Sequence, residues 1–208
     1  MTGGNRRAAV FLDRDGTINE EVGYIDRMEK LQLIPGAAEA IRLINQSGMK
    51  TVVITNQSGI ARGFFDEEFV EKTHAYLRDI LRAEGALIDA FYFCPHHPKE
   101  GRAEYLKICD CRKPAPGMLL RAAKELRIDP NHSYMVGDTL WDIEAGVRAG
   151  TRGVLVRTGC GEESVAALAA GPESRDGVTI FPAHIAADLR EAVAWIMEDR
   201  KGTGKMGT

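Results

Sequence analysis

The sequence lacks several features, and each absence excludes a class of protein. No apolar run approaches the roughly 18 residues of a membrane span, and residues 1–7 are followed by no apolar signal core. The formal net charge is -3, so no basic excess points to nucleic acid or to an anionic membrane. No internal repeat or low-complexity linker divides the 208 residues. We therefore expect one cytoplasmic domain spanning 1–208, a monomer without nucleic-acid or membrane partners.

The chain alternates short β-branched runs with longer amphipathic segments, a pattern typical of a parallel sheet with crossover helices. A hydrophobic fraction of 44% and a charged fraction of 27% fit a globular protein. The pattern predicts an α/β fold with a doubly wound parallel sheet. Strands are predicted at 8–12, 50–55, 90–93, 133–136, 153–156 and 178–181, helices at 35–48, 66–84, 116–126, 143–149, 162–169 and 185–199, and disorder at 1–6 and 201–208.

Two aspartates follow the first predicted strand. The apolar run at 8–12 is typical of a buried parallel strand, and Asp13, Asp15 and Gly16 come directly after it. Ligands of open α/β sheets bind beyond the carboxyl ends of the strands. Two ionised carboxylates this close repel each other, which favours a bound cation or a shared proton. A helix cap and turn is the structural alternative, so other segments have to decide.

Three further polar groups lie beside other predicted elements. Residues 55–59 follow the second strand and offer a hydroxyl, amides and a glycine turn suited to phosphate oxygens. Asp138 follows the fourth strand, with Asp142 one helical turn later, and Arg112 and Lys113 precede the helix before that strand. Each group alone could be a turn, a cap or a solvated pair. Because parallel strands gather their carboxyl ends at one edge, the groups together predict a shared site.

The loop at 94–115 carries a second candidate site. Cys94 and His96 at its start, with Cys109 and Cys111 near its end, supply three thiolates and one imidazole, a ligand set typical of structural zinc. His97 could replace His96 as the ligand, and reduced cysteines without metal are the structural alternative. A long loop without helical or strand periodicity needs something other than a core to hold it, and zinc would do so.

In their order along the chain, Asp13-Arg14-Asp15-Gly16-Thr17, the segment at Thr55, Lys113 and Gly137-Asp138 with Asp142 resemble the haloacid dehalogenase-like phosphatases. The resemblance implies a Rossmann-like sheet and a phosphoaspartyl intermediate, with Asp13 as nucleophile and Asp15 as general acid and base. It implies Mg²⁺ held by Asp13, Asp138 and the main-chain carbonyl of Asp15, with Asp142 orienting these ligands from behind. Thr55 and Lys113 would stabilise the transferring phosphoryl group.

Within that superfamily, residues 7 to about 197 resemble the D-glycero-D-manno-heptose 1,7-bisphosphate 7-phosphatase family, through the segments 13–17, 23–24, 55–63, 94–118 and 134–138. The length of the 94–115 loop fits that family better than the related histidinol-phosphate phosphatases. The resemblance implies zinc at Cys94, His96, Cys109 and Cys111. Thr139 departs from the family, in which a Lys or Arg follows the Gly-Asp. The short segment between Asp15 and Thr55 leaves no room for a cap domain. The substrate contacts implied are Glu21, Val22, Gly23, Tyr24, Thr55, Asn56, Gln57, Ser58, Arg112 and Lys113.

The expected function is therefore Mg²⁺-dependent hydrolysis of a small sugar phosphate monoester, the 7-phosphate of the heptose bisphosphate. One alternative is a histidinol-phosphate phosphatase or another small-molecule phosphatase, which an acidic cleft would favour. Arg112 and Arg62 instead suit a second phosphate. An inactive zinc-stapled binding module is an alternative of another class. Trp141 and Trp195 are predicted to be packing groups on helices.

Overall fold

The structure is a computed structural model that describes residues 6–171, 173–175 and 177–203. At its centre lies strand β1, Ala9–Leu12, whose four side chains are fully buried. Such a run of apolar residues without alternation is stable only where both faces of a sheet are covered. The predictions of disorder at 1–5 and 204–208 lie outside the described residues.

Six parallel strands form one sheet in the order β3-β2-β1-β4-β5-β8. The reversal of strand order at β1 is the mark of a doubly wound sheet, so that prediction is confirmed. Strands β6 and β7 pair separately as a two-stranded antiparallel ribbon. The remaining strand bounds are β2 Lys50–Asn56, β3 Ala90–Cys94, β4 Tyr134–Gly137, β5 Arg152–Val156, β6 Glu173–Arg175, β7 Val178–Ile180 and β8 His184–Ala186.

Helices cover both faces of the sheet because successive residues of β1 point in opposite directions. Val10 and Leu12 belong to a core shared with α1, α3 and α7, whereas Ala9 and Phe11 pack in a second core with α4 and α5. The helices are α1 Ala37–Gln46, α2 Gly59–Arg62, α3 Glu67–Ala83, α4 Gly117–Glu125, α5 Leu140–Ala149, α6 Gly161–Ala169 and α7 Leu189–Thr203.

The structure corrects three predictions near the chain's end and adds one helix that was not predicted. The helix expected over 185–199 begins only at α7, because His184–Ala186 is the sixth strand of the sheet. The strand expected near 178–181 belongs to the ribbon instead of the sheet. Residues 201–203 continue α7, so disorder there was wrong. Helix α2 was not predicted at all, because four residues are too few to show a helical period.

The segment between β1 and β2 holds a loop with one turn of 3₁₀ helix, Met28–Lys30, and then α1. Of the residues that the structure describes, none there forms a cap domain. None of the described helices combines the length and apolarity that a membrane crossing needs.

The packing of α5 against β5 generates a stability prediction. Ile143 on α5 is fully buried in a cluster with Leu155 and Ile180. We expect Ile143→Ala to lower the free energy of unfolding by about 2–5 kcal/mol, because it removes buried methyl groups and leaves a cavity. Urea denaturation followed by circular dichroism measures the change. Leu120→Ala on α4, where the side chain is 47% exposed, is the control and should change stability by less than about 1 kcal/mol. Equal losses in both variants would contradict this picture of the core.

Candidate active site

The strand register brings the predicted site residues to one edge of the sheet. Leu12 is aligned with Val53 on β2 and with Val136 on β4. Asp13 therefore follows at the level of Ile54 and Gly137, and Thr55 and Asp138 lie one residue further along their own strands. Neighbouring parallel strands lie about 4.8 Å apart, so this register places the three polar side chains within reach of a single small ligand.

Lys113 connects the loop at 94–115 to this edge. Its ammonium lies 2.7 Å from Asp13 Oδ1 and 2.5 Å from Asp142 Oδ1, and it donates to the Ile54 carbonyl at 2.9 Å. Burial disfavours the charge, but the two carboxylates raise the pKa of Lys113 above its ordinary value. The pKa of Asp13 is raised by burial and by its acidic neighbours, against the opposing charge of Lys113. A buried cation is thus satisfied by three partners.

The side chain of Asp15 is held in a different environment from that of Asp13. The guanidinium of Arg14 donates to both its carboxylate oxygens, at 2.9 and 2.7 Å. Asn19 donates to Oδ1 at 2.9 Å and Gln57 to Oδ2 at 3.0 Å. Burial alone would raise the pKa of Asp15, but the charge and hydrogen bonds of these donors outweigh it and lower the pKa. Two carboxylates of one motif therefore differ in proton affinity.

Asp138 is fixed by the loop that follows β5. The backbone N–H of Cys160 donates to Asp138 Oδ2 at 2.8 Å, and the Ser164 hydroxyl donates to its carbonyl at 2.8 Å. Gly16 has a φ of 77°, and a Cβ there would lie within 2.1 Å of Asp138 Oδ2, so only glycine fits. Burial, with the charge of Asp142, raises the pKa of Asp138 to about 7. The electrostatic field at this carboxylate favours a cation.

Three carboxylates, those of Asp13, Asp138 and Asp142, have oxygens within 4.8 Å of one another. The oxygens of Asp142 are already engaged, since Oδ1 accepts from Lys113 and Oδ2 accepts from the backbone and hydroxyl of Thr139. Asp13 and Asp138 thus keep free lone pairs for a hard cation, which prefers oxygen ligands. Asp142 holds other groups in place from behind them.

Two residues at the end of β2 contribute in different ways. The hydroxyl of Thr55 is buried and accepts from Gln57 Nε2 at 2.8 Å, which leaves its own proton free to donate. The side-chain amide of Asn56 instead pairs with the backbone of Lys113, donating to its carbonyl and accepting from its N–H at 3.1 Å each. Asn56 therefore positions the Lys113 segment, which continues with a cis peptide bond to Pro114.

These residues line a cleft of about 200 Å³. Of the substrate contacts predicted from the sequence, Val22 is 45% exposed and does not line it. Tyr24 lies at its rim, packed edge to face on Phe64 with ring centroids 4.8 Å apart. Arg62 pairs with Glu100 at 2.8 Å and is not part of the lining, so it does not supply the second cation. The predicted residues that line the cleft are Asp13, Asp15, Glu21, Gly23, Tyr24, Thr55, Asn56, Gln57, Ser58, Arg112 and Lys113.

The structure also brings the four predicted zinc ligands together. The sulfurs of Cys94, Cys109 and Cys111 lie 3.1–3.6 Å apart, and His96 Nδ1 lies 3.3 Å from Cys111 Sγ. Sulfurs at the corners of a tetrahedron around zinc would be about 3.8 Å apart, given a Zn–S bond of about 2.3 Å. The hydrogen bond between Cys111 and Cys94, together with the neighbouring Cys109 and His96, lowers the pKa of Cys111 to about 5 against the effect of burial. The ring of His97 points elsewhere and accepts from the backbone of Glu100 at 2.9 Å.

Several residues at the site were not predicted from the sequence. Arg14 is 2% exposed, and its Nη1 lies 3.5 Å from Nε2 of His74. The ring of His74 stacks on that of Phe91. Burial and the charge of Arg14 lower the pKa of His74 to about 3, so the ring is neutral and accepts. Trp141 lines the cleft, so its prediction as a packing group was wrong. The position between the two aspartates of the motif was the one sequence signal for Arg14.

The comparisons with known proteins agree with this geometry. The family model described as haloacid dehalogenase-like hydrolase matches residues 4–150. The D-glycero-beta-D-manno-heptose-1,7-bisphosphate 7-phosphatase of Pasteurella multocida strain Pm70 is 48% identical over 154 residues, which cover 74% of this chain and 83% of that protein. The protein of the same name from Escherichia coli strain K12 is 48% identical over 153 residues, 73% of this chain and 80% of its own.

Among solved structures, D,D-heptose 1,7-bisphosphate phosphatase from B. bronchiseptica, complexed with magnesium and phosphate, matches with a TM-score of 0.78 and 31% identity. The match covers 92% of this chain and 99% of that one. The chain therefore belongs to the haloacid dehalogenase-like hydrolases and, within them, to the family of heptose-bisphosphate phosphatases that these relatives represent.

Proposed function

We propose that the protein is a Mg²⁺-dependent phosphatase that removes the 7-phosphate of D-glycero-D-manno-heptose 1,7-bisphosphate through a phosphoaspartyl intermediate. The observation that carries the proposal is the Lys113 ammonium held 2.7 Å from Asp13, in one cleft with Asp15 and Thr55. The names of the relatives support the substrate. A monomeric state, a single domain and a cytoplasmic location stay predictions.

Asp13 is the nucleophile. Its carboxylate oxygen attacks phosphorus, and the bond from phosphorus to the sugar oxygen breaks, which leaves the phosphoryl group on Asp13. Lys113, already beside the attacking carboxylate, balances the charge on the phosphoryl oxygens, and the free proton of the Thr55 hydroxyl is available to one of them.

Asp15 carries the proton. It protonates the departing sugar oxygen, and in the second half-reaction it removes a proton from the water that hydrolyses the phosphoaspartate. Because Arg14 and its other donors lower the pKa of Asp15 in the free site, the carboxylate takes up this proton only as the negative phosphate arrives and opposes its ionisation. Once the substrate has left, the same donors favour the carboxylate.

The residues present suit Mg²⁺, because their donor atoms are oxygens and the carboxylates carry negative charge. Asp13 and Asp138, with the main-chain carbonyl of Asp15, would hold it, and Asp142 would keep Lys113 and Thr139 in place beside them. When bound, the ion draws charge from the phosphoryl oxygens and offsets the repulsion between the carboxylates. The pKa of Asp138, raised by burial, is consistent with a site that needs this positive charge.

Zinc is proposed as the organiser of recognition. Arg112 and Lys113 directly follow Cys111, and Arg112 Nη1 donates to the carbonyl of His96 at 3.1 Å. A metal at the cluster therefore fixes the two cations of the cleft. The planar guanidinium of Arg112 suits the second phosphate of a bisphosphate, which favours this substrate over the cationic histidinol phosphate.

Asp13→Asn tests the nucleophile. We expect the loss of phosphate release by about a thousandfold or more, because an amide does not attack phosphorus at a useful rate. Release is measured with heptose 1,7-bisphosphate and Mg²⁺. Asp26→Asn is the matched control, since Asp26 pairs with Lys30 on the surface and should leave the rate unchanged. Mg²⁺-dependent release that survives in Asp13→Asn would refute the assignment.

Cys111→Ser tests the zinc loop. We expect bound zinc, measured by elemental analysis, to fall from about one ion per chain, because a structural site loses one of its four ligands. The ratio kcat/KM should fall about tenfold or more, since Arg112 and Lys113 lose their anchor. Cys160→Ser, outside the cluster, should keep its zinc. Full activity in a protein verified to be free of zinc would sink the proposal.

A substrate panel with Arg112→Ala tests the specificity. We expect the highest kcat/KM on heptose 1,7-bisphosphate, with both anomers compared to histidinol phosphate and fructose 1,6-bisphosphate. Arg112→Ala should cost about ten- to a hundredfold on the heptose bisphosphate and little on histidinol phosphate, which has no second anionic group. Arg62→Ala is the matched control. A wild-type preference for histidinol phosphate would overturn the substrate while leaving the chemistry intact.

A further inference from the structure

Trp141 has an unusual place for the largest apolar side chain. It is the second residue of α5, it lines the cleft that holds Asp13 and Lys113, and 46% of its surface is exposed. Trp195, the only other tryptophan, packs against the core and stacks on His184 with ring centroids 4.8 Å apart. Trp141 therefore keeps apolar surface exposed beside Asp13 and Lys113, whereas Trp195 does not.

We propose that Trp141 is a specificity-determining residue whose indole packs against the C–H face of the sugar ring in the leaving group. This inference rests on the proposed function and adds the subsite for the part of the substrate that departs. It assigns preference for cyclic sugar phosphates over acyclic phosphate esters to one side chain on α5.

The direction of two neighbouring side chains supports this placement. Lys113 turns inward to Asp13, the phosphoryl end of the cleft. Arg112, the preceding residue, turns toward α5, and its guanidinium carbon lies 6.0 Å from the centre of the Trp141 ring. A phosphate monoester bound at Lys113 therefore extends its alcohol part past Arg112 and Trp141.

The chemistry of the pair suits a phosphorylated sugar. One face of a pyranose ring presents mainly C–H groups, which pack on an aromatic surface, whereas its substituents carry hydroxyls and phosphate. The guanidinium would take an anionic substituent, and the indole would take the apolar face. An acyclic ester such as glycerol 3-phosphate offers no ring face, so the indole should contribute little to its binding.

Kinetics with two substrates test the proposed role of Trp141. We expect Trp141→Ala to raise KM for heptose 1,7-bisphosphate about tenfold with kcat within about twofold, the pattern of a binding contact kept through the transition state. Trp141→Phe, which keeps an aromatic surface, should restore most of the loss. With glycerol 3-phosphate, kcat/KM should stay unchanged in both variants. Equal losses on the two substrates, or no loss on either, would overturn the proposal.

Fluorescence gives a second measurement that needs no turnover. In Trp195→Phe combined with Asp13→Asn, Trp141 is the single tryptophan, and its emission should shift to the blue and saturate as heptose 1,7-bisphosphate is added with Mg²⁺. Glycerol 3-phosphate should cause no shift. The matched control is Trp141→Phe with Asp13→Asn, in which the emission of Trp195 should not move.

The outcomes separate this inference from the proposed function. If the wild-type protein hydrolyses heptose 1,7-bisphosphate but the emission of Trp141 does not respond to it, the proposed role of Trp141 is wrong and the proposed function stands. If the wild-type protein releases no phosphate from that sugar, the proposed substrate is wrong. The same variants are then compared on the phosphate ester of a cyclic sugar that the protein hydrolyses fastest in the panel. An unchanged KM for that ester also overturns the proposed role of Trp141.

Discussion

The buried ammonium of Lys113 is the interaction on which the rest of the site depends. It lies between Asp13 and Asp142 and is 3% exposed. A buried charge that loses a partner is destabilising by several kcal/mol (~3–5), so the three residues are kept together as a unit. They belong to three separate segments: the residue after β1, the loop at 94–115 and the first turn of α5. A single ion triad thus joins the central strand to two of the segments that line the cleft.

The triad leaves part of the negative charge of the site uncompensated. Lys113 forms ion pairs with Asp13 and Asp142, whereas Asp138 accepts a hydrogen bond from the backbone of Cys160 and feels the charge of Lys113 only from a distance. Asp15 is balanced separately by Arg14. The uncompensated charge is therefore concentrated between Asp13 and Asp138, at the position where a divalent cation would restore neutrality.

The parts of the site that could be predicted from the sequence depend on strand ends. Asp13 and Asp138 follow apolar runs, and parallel strands place their carboxyl ends at one edge whatever their register, so the convergence could be inferred. The contacts of Arg14 with His74 and of Asn56 with Lys113 could not, because they join positions far apart in the chain whose meeting depends on the exact register and packing. Strand β8 and helix α2 escaped for a simpler reason: three or four residues show no period. Trp141 escaped because a lone tryptophan in an amphipathic helix is more often a packing group.

The loop at 94–115 holds Arg112 and Lys113 side by side, but their side chains turn to different parts of the cleft. Cys94 ends the edge strand β3, and Cys111 immediately precedes Arg112 and Lys113, so the cluster of three cysteines and His96 brings the far end of the loop back to the sheet. Lys113 then reaches Asp13, whereas Arg112 faces Trp141. Because Arg112 takes no part in the buried triad, its side chain can change with little effect on the ion pairs of Lys113. Substrate preference can therefore vary at Arg112 and Trp141 while the ion pairs of Asp13, Lys113 and Asp142 stay in place.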